Sequence, residues 1–142
     1  GNRTTVCQVV FTKKIVGLVL EVRREERTRF WSIETGEILF ELEGQRVIAI
    51  SPDSTLVADI QNAPSKGSDL RQCKLSIRSA QTGEQLHSLE LQNNRFLGLQ
   101  FSANGHILGC HTELGPRVFN VLNESFVVMK QRKWPAKTLQ QM

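Results

Sequence analysis

The sequence lacks the segments that mark membrane and secreted proteins. Its longest uninterrupted apolar run is six residues, Ile15–Leu20, far short of the roughly 20 that cross a bilayer. No apolar segment follows the basic residue near the start, so no secretory signal is predicted. The three cysteines are an odd number at wide spacings, and Cys7 and Cys110 lie in apolar runs where free thiols are expected to be buried. We therefore expect an intracellular, cytoplasmic protein without membrane attachment, with a nuclear location left open.

The motifs of common catalytic and cofactor sites are missing too. Neither a Gly-x-Ser-x-Gly nucleophile motif nor a glycine-rich phosphate loop occurs. His106 and Cys110 are four residues apart, but four strand steps of about 3.3 Å separate them by about 13 Å, too far to share one ion. We expect no catalytic residue, no cofactor and no metal site, and hence no enzyme.

The composition is that of one ordinary globular domain with a mild basic excess. The chain has 142 residues, of which 39% are hydrophobic and 23% charged, and its formal net charge is +4. This length can bury a real core, and this charge permits nucleic-acid or acidic partners without arguing for them. The most basic cluster, Lys130, Arg132, Lys133 and Lys137, lies in a predicted tail over residues 130–142. We interpret this tail as solvated chain that follows the last strand.

One stretch of the sequence occurs twice. Residues 33–43 and 80–90 align at an offset of 47, and six of their eleven positions are identical. In both copies a Thr-Gly pair, Thr35-Gly36 and Thr82-Gly83, separates two strand-like runs, and glycine there can supply the positive φ of a tight turn. A repeat of this period indicates one supersecondary unit that is copied and stacked.

The same order of strands and turns can be followed three times, over residues 6–43, 46–91 and 95–129 of a domain spanning 1–129. Each unit has a small residue at the third position of its second strand: Gly17, Ala58 and Gly109. Equivalent positions of the third strand hold Trp31, Arg78 and Phe119, and the first strands end on Phe11, Ile50 and Phe101.

Four short antiparallel strands per unit, repeated every 40 to 50 residues, are typical of β-propeller blades. We therefore predict an all-β fold of three four-stranded antiparallel sheets that form part of a propeller. The small residues should let neighbouring sheets approach each other. Valine in place of Gly109 is accordingly expected to destabilise the fold by about 1–3 kcal/mol, the usual cost of overpacking.

At this point the residues resemble tryptophan–aspartate (WD) repeats. Residues 30–37, Phe-Trp-Ser-Ile-Glu-Thr-Gly-Glu, are similar to the stretch that ends such a repeat, with Trp31-Ser32 where Trp-Asp usually stands. Residues 50–53 and 101–105 resemble the family's Phe-Ser-Pro-Asp-Gly hairpin. The third unit departs most, because Leu122-Asn-Glu124 is placed where the others have Thr-Gly-Glu. The resemblance implies a propeller whose loops bind other proteins.

Three blades are too few to close a ring, since propellers typically have four to eight. An open array would expose an apolar sheet face at each end, which favours association. We therefore expect this chain to be part of a larger propeller, or to assemble with other copies or subunits.

Three functions remain open at this stage. The first, implied by the resemblance, is a non-catalytic scaffold with protein partners. The second is a nucleic-acid-associated subunit that uses basic loops and the C-terminal tail. The third, also implied by the resemblance, is a set of sensor or autoinhibitory repeats in a larger signalling ATPase. The candidate interaction residues, all in predicted loops, are Arg23, Arg24, Arg46, Lys66, Asp69, Asn93, Arg95, His111 and Glu113.

Overall fold

A computed structural model describes residues 4–44, 46–62, 72–92 and 95–128, and within them every regular element is a strand. The strands are β1 (Thr4–Phe11), β2 (Ile15–Val22), β3 (Glu25–Ser32), β4 (Ile38–Glu43), β5 (Val47–Ile50), β6 (Leu56–Asn62), β7 (Gln72–Ser79), β8 (Gln85–Gln92), β9 (Phe96–Phe101), β10 (Ile107–Thr112), β11 (Gly115–Asn120) and β12 (Ser125–Val128). They form three four-stranded sheets with strands in chain order, called sheets 1, 2 and 3. The predicted all-β fold is confirmed. Across the described ranges, no helix is long and apolar enough to cross a membrane.

The three sheets share one register, as the aligned residues predict. Trp31, Arg78 and Phe119 each pair with the second residue of the preceding strand, namely Val16, Val57 and Leu108. The inner strands β1, β5 and β9 end on Phe11, Ile50 and Phe101. The repeat seen in the sequence is therefore a repeat of strand pairing as well as of residue type.

The Thr-Gly turns have the same geometry in sheets 1 and 2. The amide of Gly36 donates to the carbonyl of Ser32, and that of Gly83 to Ser79, both at 2.8 Å. The φ angles of these glycines are 73° and 76°, in the left-handed region that glycine adopts without steric cost. The local sequence alone was enough to predict this turn.

The turn of sheet 3 shows that the sequence alignment there was wrong by one residue. Asn123 Oδ1 accepts from the amide of Ser125 at 3.1 Å, as Thr35 Oγ1 does from Glu37 at 3.2 Å. Glu124, with φ 56°, therefore takes the glycine position. Asn123-Glu124-Ser125 is the counterpart of Thr-Gly-Glu because the turn is defined by its hydrogen bonds, and these align Asn123 with the threonine.

The sheets stack face to face in chain order, with one apolar core in each gap. The core between sheets 1 and 2 contains Ile15, Val19, Phe30, Ile48, Val57 and Ala80. The core between sheets 2 and 3 is larger and includes Ala58, Ile77, Phe101, Leu108 and Phe119. We call the face of a sheet toward the next sheet its forward face, and the other its backward face. The forward face of sheet 3 and the backward face of sheet 1 have no neighbour among the described residues.

The aligned small residues lie on forward faces, but only some of them are crowded. A Cβ added to Gly17 would lie 2.6 Å from Phe30 Cε1 and 3.2 Å from Ile48 Cδ1 of the next sheet. A Cβ on Gly109 would meet nothing nearer than the carbonyl oxygen of Gln100, at 3.6 Å. Among the described residues no fourth sheet packs on this face, so the close approach that was expected at Gly109 is not present there.

Alanine at these two positions should separate the crowded site from the open one. Gly17→Ala is expected to lower the free energy of unfolding by about 1–3 kcal/mol, since the Phe30 ring is fully buried and has little room to move. Gly109→Ala should change it by less than about 0.5 kcal/mol, because an added Cβ makes only an ordinary contact at 3.6 Å. Urea denaturation of both variants measures the difference. Equal costs would contradict the close approach of sheets 1 and 2.

Two local predictions are corrected by the structure. Cys7 is exposed rather than buried, because it lies at an irregularity of β1 between Val6 and Gln8, in a sheet with one uncovered face. The predicted loop that contains His111 and Glu113 is a tight turn at Glu113-Leu114, because β10 ends at Thr112 and β11 begins at Gly115. His111 therefore lies in a strand and not in a loop.

Candidate interaction surface

Most of the candidate residues that the structure describes come together at one edge of the stacked sheets. In an up-and-down sheet, the turn from the second to the third strand and the segment that leaves the fourth strand lie at the same end of the strands. We call this end of the stacked sheets the connection rim. Among the described residues it comprises Arg23-Arg24, Gly44, Arg46, Arg95 and Glu113-Leu114. Lys66, Asp69, Asn93 and the basic tail of residues 130–142 lie outside the described residues.

Backbone hydrogen bonds join the parts of this rim. The amide of Gly44, after β4, donates to the carbonyl of Glu26 at 2.9 Å. The amide of Glu113 donates in the same way to the carbonyl of Arg95, before β9, at 3.1 Å. Each of these bonds fixes a segment next to a connection to its own sheet, at sheet 1 and at sheet 3. His111 lies one residue inside the end of β10 with an exposed side chain.

The β2–β3 turn presents two arginines in an unusual conformation. Arg23 and Arg24 have φ angles of 53° and 68° and exposed side chains. A two-residue hairpin turn with both φ values positive is normally made by Asn-Gly or a similar pair. Holding two side-chain-bearing residues there is a local strain, of the kind that tends to be kept at functional positions.

Arg95 and Glu113 form a solvated ion pair on the rim. Arg95 Nη1 lies 3.8 Å from Glu113 Oε1, and the two side chains are 57% and 44% exposed. Such a pair adds little stability, because water competes for both charges. The two charges therefore lie at the exposed surface of the rim.

Arg46 is a rim residue by position, but its side chain points into the gap between sheets 1 and 2. Its Nη1 lies 2.7 Å from Asp59 Oδ1, and its Nε donates to the carbonyl of Glu43 at 2.9 Å. Arg78 approaches the same carboxylate from the other side, with Nε 2.6 Å from Asp59 Oδ2. The Asp59 side chain is fully buried, and the arginines are only 13% and 14% exposed. Arg46 therefore offers little surface to a partner.

Asp59 is a residue that the sequence motifs do not single out. The signal was there, since it is an acidic residue in the otherwise apolar run Leu56–Ile60. Which arginines contact Asp59 depends on the strand pairing and on the sheet face that each side chain occupies, and the sequence does not show either. Arg78 also donates from Nη1 to the carbonyl of Gly83 at 3.1 Å, so the buried triad Arg46–Asp59–Arg78 ties β6, a Thr-Gly turn and the segment before β5 together.

A second carboxylate held between two arginines lies on the uncovered backward face of sheet 1. Glu41 accepts from Arg27 at 2.5 Å and also from Arg29. The hydrogen bond from Arg27 holds the pKa of Glu41 below its usual value, and Arg29 acts in the same direction. These side chains are about a third exposed, so this network is the solvated counterpart of the buried triad.

The described residues offer little catalytic chemistry. Burial raises the pKa of the Cys110 thiol to about 12 and also raises that of Cys73, so neither forms a nucleophilic thiolate readily. Within the described ranges, no three His, Cys, Asp or Glu side chains are grouped to hold a metal ion. What the surface can do is present charged side chains from a rigid frame.

Comparisons with known proteins agree on the fold. No protein-family model matches the sequence, and no curated protein matches it. The crystal structure of the RRP9 WD40 repeats aligns with a TM-score of 0.66 at 21% identity, covering 90% of this chain and 39% of that one. The structure of U3-55K aligns with a TM-score of 0.66 at 22% identity and the same coverage. The β-propeller domain of the Trilobed protease from Pyrococcus furiosus aligns with a TM-score of 0.67 at 13% identity, covering 88% of this chain and 42% of that one.

These likenesses, all below 25% identity, concern the fold. The chain spans 39% of the length of the two WD-repeat structures. Its neighbours include both WD-repeat chains and the propeller domain of a protease, so the fold is shared by proteins with different roles. The chain folds as three consecutive four-stranded blades of a β-propeller, which is the fold that the resemblance in the sequence implies.

Proposed function

We propose that these blades belong to a protein-interaction scaffold whose docking surface is the connection rim. In this proposal the chain binds a protein and does not itself catalyse a reaction. The observation that supports it best is the strained Arg23-Arg24 turn at the tip of the rim. Asn-Gly is the pair that this turn conformation favours, so two exposed arginines there are better explained by binding than by stability.

The rest of the rim is consistent with this role. Its backbone is fixed by the bonds from Gly44 to Glu26 and from Glu113 to Arg95, while Arg95 and Glu113 keep solvated side chains. Recognition is usually placed on loops that a rigid scaffold positions. Arginine is also enriched at protein interfaces, because its guanidinium can stack and form forked hydrogen bonds.

Replacing the turn by the pair that the backbone prefers tests this proposal. Arg23→Asn with Arg24→Gly is expected to raise the free energy of unfolding by about 1 kcal/mol, because the left-handed strain is relieved. The same variant should weaken retention of the protein partner by about tenfold or more, the loss expected for a residue that carries binding energy. Denaturant unfolding and a quantitative pull-down measure the two effects.

The control removes the same charge from the opposite edge of sheet 1. Lys13→Ser with Lys14→Ser alters the exposed β1–β2 turn and should leave retention unchanged. Pull-downs at two salt concentrations, with and without nuclease, test the nucleic-acid alternative, because phosphate binding depends steeply on salt. A partner that survives nuclease and moderate salt, and is lost only with the arginines, supports the proposal. Retention that disappears with nuclease, or that is equal in both variants, contradicts it.

A further inference from the structure

The β5–β6 and β9–β10 turns are closed by the same side-chain hydrogen bonds, although the first contains an aspartate and the second an asparagine. In sheet 2, Asp53 Oδ1 accepts from Ser51 Oγ at 2.7 Å and from the backbone amide two residues later at 3.0 Å. In sheet 3, Asn104 Oδ1 accepts from Ser102 Oγ and from the amide two residues later at the same two distances. Asn104 therefore occupies the place of Asp53.

The backbones of the two turns agree as well. The amide of Ser54 donates to the carbonyl of Ser51 at 2.8 Å, and the amide of Gly105 donates to the carbonyl of Ser102 at 2.9 Å. The φ angles of Ser54 and Gly105 are 64° and 75°. The residue after Asn104 is thus in the left-handed region, and sheet 2 shows that a serine can take this position.

Asn104-Gly105 is the one Asn-Gly pair in the sequence, and its asparagine side chain is exposed to water. In deamidation, the Gly105 nitrogen attacks Asn104 Cγ, the N–H proton passes to a solvent base, and ammonia leaves to give a cyclic imide. Water then opens the imide at one of its two carbonyls, which yields an aspartyl or an isoaspartyl residue. Glycine hinders the attack least, because it has no side chain.

The closed turn opposes this attack. The N–H of Gly105, which must become the nucleophile, is donated to the carbonyl of Ser102. Asn104 Oδ1 is held by Ser102 Oγ and by the amide of His106, so the side chain is fixed toward the amide that follows Gly105. Cyclisation therefore requires the turn to open first, as local segments of folded proteins do.

The two products differ in how they fit the turn. The aspartyl product has the geometry of Asp53, whose pKa is held below its usual value by hydrogen bonds from Ser51 and Thr55. A carboxylate is a stronger acceptor than an amide oxygen, so this product can close the turn again. The isoaspartyl product inserts a methylene group into the main chain before Gly105, which displaces the amide that donates to Ser102.

We propose that Asn104 is a deamidation site controlled by opening of the β9–β10 turn, at which the aspartyl product restores the turn and the isoaspartyl product does not. Each event adds one negative charge to a chain of formal net charge +4. The inference goes beyond the proposed function and does not depend on it, because the β9–β10 turn lies at the end of the strands opposite the connection rim.

The rate of conversion at mildly alkaline pH tests the control by the turn. Peptide mass mapping of the whole chain, folded or in denaturing urea, follows Asn104. We expect conversion to be about tenfold or more faster in urea, where no turn has to open. Ser102→Ala removes the hydroxyl that holds Asn104 Oδ1 and should raise the rate in the folded chain by about threefold or more. Its rate in urea should be unchanged.

Two variants serve as matched controls. Ser51→Ala removes the same hydroxyl from the β5–β6 turn and should leave the rate at Asn104 unchanged, which separates opening of one turn from unfolding of the chain. Gly105→Ser should keep the turn, since Ser54 has this conformation in sheet 2 and an added Cβ meets nothing nearer than Ser51 Cβ at 3.9 Å. It should slow conversion in urea, because the side chain hinders the attack.

The fit of the products is tested by denaturation. Asn104→Asp should unfold at a urea concentration no lower than the parent chain, and chromatographically separated isoaspartyl material should unfold at a lower one. Equal rates in the folded and unfolded chain, or no conversion in urea, would overturn the proposal. So would an acceleration by Ser51→Ala as large as that by Ser102→Ala, or a lowered midpoint for Asn104→Asp.

Discussion

Asp59→Ala is expected to lower the free energy of unfolding by about 3–5 kcal/mol, the cost of removing one partner from a buried ion pair. The carboxylate is fully buried between Arg46 and Arg78, at 2.7 and 2.6 Å. Without it, two guanidinium groups would remain in the gap between sheets 1 and 2 without their counterion. Water would have to enter, or the arginines would have to leave and break their bonds to the carbonyls of Glu43 and Gly83. Urea or guanidinium denaturation measures the loss.

The control for this experiment is Glu41→Ala, which removes a carboxylate that also accepts from two arginines. Its partners, Arg27 and Arg29, have side chains 41% and 31% exposed. Solvated pairs of this kind contribute about 1 kcal/mol or less. A cost for Asp59→Ala no greater than that for Glu41→Ala would show that the gap between the first two sheets is not closed as described.

The second large effect is expected at Gly83, where the backbone and the preceding blade both exclude a side chain. Its φ is 76°, and an added Cβ would lie 2.6 Å from Phe40 Cδ2 and 2.7 Å from Cγ. Left-handed backbone costs a residue other than glycine about 1–2 kcal/mol, and overpacking against the Phe40 ring adds about 1–3 kcal/mol. Gly83→Ala should therefore destabilise by about 2–5 kcal/mol in denaturant unfolding.

Gly36 provides the matched comparison, since it occupies the same turn in sheet 1. Its φ is 73°, but nothing lies within 4 Å of an added Cβ. Gly36→Ala should lower the free energy of unfolding by about 1–2 kcal/mol, the cost of the left-handed backbone alone. The difference between the two alanine variants isolates the contact between blades. Equal costs would mean that Phe40 does not pack on the second blade.

The repeating parts of the fold could be predicted from the sequence because their causes are local. A Thr-Gly pair between two strand-like runs makes a turn wherever it occurs, and the structure has it at Gly36 and Gly83. The shared register of Trp31, Arg78 and Phe119 follows from the same spacing. Where the glycine is missing, as at Glu124, the local signal was lost and the alignment slipped by one residue.

The parts that could not be predicted depend on what lies across a gap between sheets. Gly109 occupies the same place in its strand as Gly17, but in the part of the chain that the structure describes a neighbouring sheet lies above Gly17 alone. Asp59 was visible as an acidic residue in an apolar strand, yet its arginines lie 13 and 19 residues away. Which of them reach it depends on strand register and sheet face. The placement of Arg24, Arg95 and Glu113 on one rim likewise could not be predicted from the sequence, because it depends on the topology of the sheets.

The most direct test of the account is a disulfide between the first two blades. Thr12 Oγ1 and Ser54 Oγ are 2.6 Å apart although 42 residues separate them in sequence, and stacking of the sheets in chain order alone brings them together. With Cys7 replaced by serine, Thr12→Cys with Ser54→Cys should form an intramolecular disulfide under mild oxidation, detected by peptide mass mapping, because the ends of the two side chains already meet. The pair Thr12→Cys with Asn104→Cys, which joins sheets 1 and 3, should not form one within a single chain. Cross-linking of the second pair within one chain, or its absence in the first, would contradict consecutive stacked blades.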